Sequence, residues 1–150
     1  MVPSHLPVSS VHILLIEDNP GDIRLTKKAF ARAKLKNDLH VATNGRRALD
    51  FLHQRGDFTD APSIDLILLD LKLPDASGLD ILRDIKSNPD LRRIPTVILT
   101  SSDADEDIIK SYDRHANAYI TKPVDFAGLL KVIRNLDQFW LSLVKLPSRS

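Results

Sequence analysis

The chain contains no cysteine. Neither a disulfide framework nor a thiolate zinc site can therefore exist. It also lacks an excess of one charge: 21 Lys and Arg stand against 20 Asp and Glu, for a net charge of +1. That balance argues against the broad basic surface that direct nucleic-acid binding needs. The pairs Arg46-Arg47 and Arg92-Arg93 read as solvated surface. No apolar run approaches the roughly 20 residues that span a bilayer, so no membrane segment is expected. The first ten residues hold two prolines and no hydrophobic stretch of signal-peptide type. They are expected to form a flexible leader, 1–10, on a cytoplasmic protein. What is present suits one globular domain: 150 residues, 43% hydrophobic and 27% charged.

Strand-like apolar runs alternate with helical periodicity five times. The first strand is expected at about 11–16 and a helix at 21–34, with Ile23, Thr26, Phe30 and Ala33 on one face. A short strand at 39–43 precedes Asn44-Gly45, a helix start that puts Ala48, Phe51 and Leu52 inward. Residues 55–63 are polar, contain Gly and Pro, and read as a loop. The third strand, 64–69, is nearly continuous in apolar residues, as a central parallel strand buried on both faces should be. The helix after it places Leu79, Leu82 and Ile85 inward and ends at Asn88-Pro89. A fourth strand at 95–99 leads to a helix capped by Ser102-Asp103 and carrying Ile108, Ile109 and Tyr112. A fifth strand at 117–120 precedes a final helix from about Asp125 to Leu143. Five βα units predict an α/β three-layer sandwich on a five-stranded parallel sheet with five helices. The expected domain covers 11–144, with a short tail at 145–150.

Polar residues stand at four of the strand ends. Glu17-Asp18 follow the first strand, Asp70 the third, Thr100-Ser101 the fourth and Lys122 the fifth. Ligands of open parallel sheets bind at the carboxyl ends of the strands. Taken singly, each position has an ordinary explanation. An Asp after a strand is usually a turn residue or cap, Thr100-Ser101 can close a strand, and Lys122-Pro123 can be a surface turn. Together, in strand-end register, they describe a site. Three acids held together repel one another, and a hard divalent cation relieves that repulsion. An all-oxygen cluster favours Mg²⁺, with Mn²⁺ as the substitute, over zinc.

The segments Ile13–Asn19, Asp65–Pro74, Ser77–Leu79, Pro95–Ser101 and Tyr119–Pro123 carry a further message. Over about 10–140 the sequence resembles the receiver domains of two-component response regulators. The resemblance implies a flavodoxin-like sheet of order 2-1-3-4-5. It implies Asp70 as phosphoacceptor, attacking the phosphorus of a phosphohistidine on a sensor histidine kinase. It implies Mg²⁺ ligation by Asp18, Asp70 and the backbone carbonyl of Lys72, with Glu17 acting through a water. Lys122 is then the phosphoryl-pairing cation, on a Lys-Pro peptide expected to be cis. Thr100 is the hydroxyl that bonds the phosphoryl group after transfer, and Tyr119 is the aromatic that rotates with it in a two-state switch. Lys72 and Ser102 occupy places that tune dephosphorylation, and slow intrinsic hydrolysis is expected. Ala76-Ser77 stands where many receivers have Met-Asp, a departure that bears on partner contacts.

The last helix is apolar on more than one side. Phe126, Leu129, Leu130, Ile133, Leu136 and Trp140 fit one face, whereas Val132, Phe139 and Leu143 lie off it. A second apolar face needs a partner. A homodimer through Val132, Phe139, Trp140 and Leu143 is expected, against the alternative of a tail folded on its own domain. This ending and the 55–63 loop resemble the single-domain regulators that serve bacterial and cyanobacterial phytochrome kinases. That narrower resemblance implies a phytochrome as the sensor kinase. Two other classes compete. A haloacid-dehalogenase-type phosphatase needs a second Asp two residues after the nucleophile, where this chain has Lys72. A constitutive interaction module with this fold usually loses the acid pair, the acceptor or the Lys, all of which are retained here.

Overall fold

The computed structural model describes residues 10–34, 36–100, 118–121 and 126–144. Five strands run parallel: β1 (Val11–Ile16), β2 (Asn37–Ala42), β3 (Leu66–Asp70), β4 (Thr96–Thr100) and β5 (Ala118–Thr121). Their spatial order is β2-β1-β3-β4-β5, so the winding reverses between β1 and β3. Such a reversal opens a crevice at the carboxyl ends of those two strands. The helices among the described residues are α1 (Pro20–Phe30), α2 (Gly45–Leu52), α3 (Gly78–Ser87) and α4 (Phe126–Val144). The helix expected at 102–112 lies outside the described residues, as do the 1–10 leader up to residue 9 and the 145–150 tail.

The sheet is apolar on both faces because helices cover both. Strand side chains alternate in direction. Leu14, Ile16, Ile67, Leu69 and Ile98 pack with Ala48, Phe51 and Leu52 of α2 and Ile81, Leu82 and Ile85 of α3. Ile13, Leu15, Leu66, Leu68, Val97 and Leu99 pack with Ala29 and Phe30 of α1 and Leu129 and Ile133 of α4. Every residue of β3 is buried, and each fully buried Leu or Ile contributes roughly 1.5–3 kcal/mol. The central strand thus anchors the acid at its own end.

Several boundaries differ from the sequence expectation. α1 ends at Phe30, not 34. The Asn37 side-chain amide donates to the Phe30 carbonyl, and Arg32 and Ala33 N–H groups close the end in tight turns. β2 starts two residues early because its backbone pairs with all of β1, although Asn37 and Asp38 are polar. The 55–63 segment contains a short 3₁₀ turn, Gly56–Phe58, held by the Phe58 ring 5.3 Å from Phe51. In α3, Ile81 is buried and Leu79 only half-buried, because the helix starts immediately after its Ser77 cap. In α4, Phe126, Leu129, Leu130 and Ile133 face the core as expected. Asp137 is also buried, for its carboxylate accepts the Lys34 N–H at 3.0 Å. The side chains of Leu136, Phe139, Trp140 and Leu143 lie outside the described residues, and Val132 is half-buried.

Candidate metal centre at the carboxyl end of the sheet

β1 delivers two acids into the crevice. The Glu17 N–H continues the ladder by donating to the Ala42 carbonyl at 3.0 Å, and its side chain is fully buried. Asp18 is exposed. The cap of α1 is Asn19, whose side-chain oxygen accepts the Asp22 N–H at 3.0 Å, with Pro20 at the first helical position. Asp18 is therefore not the helix cap, which removes one of the two ordinary explanations for it. The Asn19 N–H also donates to Glu17 Oε1 at 3.1 Å, folding that carboxylate back over the turn.

β3 delivers the third acid. Asp70 is 3% exposed, and its Oδ1 accepts the Lys72 N–H at 3.1 Å. One carboxylate oxygen from each of Glu17, Asp18 and Asp70 lies within 4.8 Å of the others. Two buried carboxylates and one open to water form an all-oxygen donor set. It fits a hard divalent cation such as Mg²⁺ or Mn²⁺, which keeps part of its water shell and leaves room for a phosphate oxygen.

The loop after Asp70 is tightly held. The Leu71 N–H donates to the Leu99 carbonyl, and the Gly78 N–H returns to the Leu71 carbonyl at 2.9 Å. A Cβ at residue 78 would lie 2.4 Å from Leu71 Cα and 2.6 Å from the Asp70 carbonyl oxygen. Only glycine permits that approach. Asp75 fastens the loop to α2: its two oxygens accept the Gly45 N–H at 2.7 Å and the Arg46 N–H at 3.1 Å. These two bonds hold the Asp75 carboxyl below its ordinary pKa. Asn44 takes the next donor, the Arg47 N–H, at 2.8 Å. The free N–H groups at the start of α2 are thus shared between a local cap and a residue thirty positions away. Asp75 escaped the sequence reading because nothing local ties it to α2.

The other predicted residues are placed only by backbone. Thr100 ends β4 one position beyond Leu99, the register partner of Asp70. Tyr119 lies on β5 opposite Ile98. Lys122 and Ser102 lie outside the described residues.

The response regulator receiver domain family matches residues 13–134. The chain belongs to that family. Its fold is accordingly the flavodoxin-like receiver fold. Response regulator Rcp1 of Synechocystis sp. is 41% identical over 136 residues, covering 91% of this chain and 92% of that protein. The crystal structure of the phosphorylated cyanobacterial phytochrome response regulator RcpA superposes with a TM-score of 0.78 at 41% identity, covering 93% of this receiver and all of that chain. The Mn²⁺-bound form of Rcp1 gives a TM-score of 0.76 at 40% identity, covering 92% and 99%. Among the described residues of this receiver, no helix is long and apolar enough to cross a membrane.

Proposed function

We propose that this receiver accepts a phosphoryl group on Asp70 from the phosphohistidine of a sensor kinase and signals through the conformational change that follows. The convergence of Glu17, Asp18 and Asp70 at the reversal point of the sheet carries this reading. In the transfer, an Asp70 oxygen forms a bond to phosphorus as the bond to the histidine nitrogen breaks. The Lys72 N–H holds Oδ1 and so fixes the plane of the attacking carboxylate. Glu17, Asp18, Asp70 and the Lys72 carbonyl would hold Mg²⁺ or Mn²⁺. When bound, that cation offsets the repulsion between carboxylates and incoming phosphoryl oxygens. Lys122 pairs with the phosphoryl group from the far side, Thr100 bonds it after transfer, and Tyr119 follows Thr100.

The kinase partner is read as a phytochrome, because the relative RcpA is a phytochrome response regulator. The receiver works in the cytoplasm without touching nucleic acid. It pairs with a second copy through α4 and the segment after it, with Val132, Phe139, Trp140 and Leu143 as the contact residues. The phosphoryl group leaves slowly by autodephosphorylation, with the exposed Lys72 side chain restricting water.

Intact-mass spectrometry after incubation with acetyl phosphate and Mg²⁺ tests the chemistry. One added phosphoryl group in the wild type, absent without Mg²⁺ and absent in Asp70→Asn, is expected. Addition at an equal level in Asp70→Asn would overturn it, as would failure with both acetyl phosphate and a phosphorylated phytochrome kinase.

A further inference from the structure

A second donor cluster lies on the α2 side of the sheet, toward the amino end of β1. His12 Nδ1 stands 3.1 Å from His40 Nε2, with the two rings stacked. Asp38, the register partner of His12, brings Oδ2 to 3.9 Å from the same Nδ1. Residues 12 and 14 of β1 share one face, as do 38 and 40 of β2, so parallel pairing puts all three side chains together. The acidic site does not use them: Glu17 is about 16 Å farther along β1 at ~3.3 Å per residue.

We propose that His12, His40 and Asp38 form a binding site for a borderline divalent cation of the Zn²⁺ or Ni²⁺ type. Two imidazole nitrogens on tetrahedral zinc, at about 2.0–2.1 Å each, stand roughly 3.3 Å apart. The observed 3.1 Å is close to that edge, so a cation can take the place of the single proton the two rings share. Asp38, already beside His12 at 3.9 Å and exposed, is the carboxylate that would turn in as a third ligand. Water completes the shell. Imidazole nitrogen selects this class of metal, whereas the carboxylate cluster selects Mg²⁺.

The scaffold is prepared for it. Asp65 Oδ2 accepts the His12 N–H at 2.8 Å, and the Asp65 N–H donates to the His12 carbonyl at 2.7 Å. The ring of Phe51, 5.2 Å away, backs His40. Burial first, and the neighbouring His12 second, lower the His40 pKa against the opposing pull of Asp38. A bound cation would staple the edge strand β2 to β1 without entering the phosphoryl site.

Calorimetry with Zn²⁺ on the untagged full chain, in saturating Mg²⁺, tests this. One equivalent is expected to bind. His12→Gln and His40→Gln should each weaken binding roughly tenfold or more, and Asp38→Asn by a smaller factor. His53→Gln, at the separate His53–Asp84 pair linking α2 to α3, should change nothing. Zinc at about a hundred times its Kd should raise the melting temperature by about 5–10 °C. Circular dichroism checks that the Gln variants fold, and Asp38→Asn, at an exposed side chain, stands in for one that does not. No zinc uptake by the wild type would overturn the proposal. So would equal affinity across the folded His12, His40 and Asp38 variants, or loss of binding in His53→Gln.

Discussion

The two ends of β1 carry opposite kinds of chemistry on one frame. At the carboxyl end the strand stops and Glu17-Asp18 meet Asp70 across the crevice between β1 and β3. Toward the amino end, His12 meets His40 and Asp38 across the pairing with the edge strand β2. The first cluster arises from topology: only a reversed winding order opens that crevice. The second arises from register alone: a shift of one residue in β2 would turn His40 to the other face. Oxygen donors with loop support suit a hard cation and a transient phosphoryl group. Nitrogen donors on paired strands suit a cation that stays.

The loop at the carboxyl end is the firmest place to break this contrast. Gly78→Ala should cost about 3 kcal/mol or more, because backbone atoms of Asp70 and Leu71 occupy the space a Cβ needs. Urea unfolding measures it, and an unchanged midpoint would mean the loop yields easily. Asp18→Asn should weaken Mg²⁺ binding about tenfold, or ~1.4 kcal/mol, by titration calorimetry. It should leave global stability near the wild-type value, since Asn19 caps the helix. A large stability loss would give Asp18 a structural part.

Asp75→Ala should lower stability by about 1 kcal/mol by uncapping α2, and should slow phosphorylation by loosening the loop that holds Lys72. Asp75→Asn should recover part of both. This effect has a defined pH window. The pKa of Asp75 is lowered in the folded state, so its contribution is complete above the unfolded value near 3.8 and fades as pH falls through the folded value. The stability gap between wild type and Asp75→Ala should therefore be constant from pH 7 to 5 and close below about 3.8. A gap that closes near neutral pH would assign the effect to another group. The smallest effect is expected from Lys72→Ala, a modest shortening of phosphoryl lifetime, followed by loss of the added mass over time.

The sheet, its parallel character and the acidic corner were legible because they depend on local signals. Apolar runs mark the strands, and Glu17, Asp18 and Asp70 sit at the ends of two of them. Contacts between distant segments were not legible. The polar Asn37 and Asp38 pair as strand because β1 offers them partners. Ile81 rather than Leu79 fills the core because Ser77 sets the phase of α3. Asp137 is buried because Lys34, a hundred residues earlier, needs an acceptor. Asp75 and the His12–His40 pair belong to the same class, since only tertiary register brings their partners within reach.

The most direct measurement locates the phosphoryl group itself. Borohydride reduction converts an acyl phosphate on aspartate to homoserine, which tandem mass spectrometry reads at a single residue. After phosphorylation in Mg²⁺, homoserine at position 70 is predicted. A label at Asp18, at another carboxylate, or at no residue of a protein that has gained the phosphoryl mass would contradict Asp70 as the acceptor.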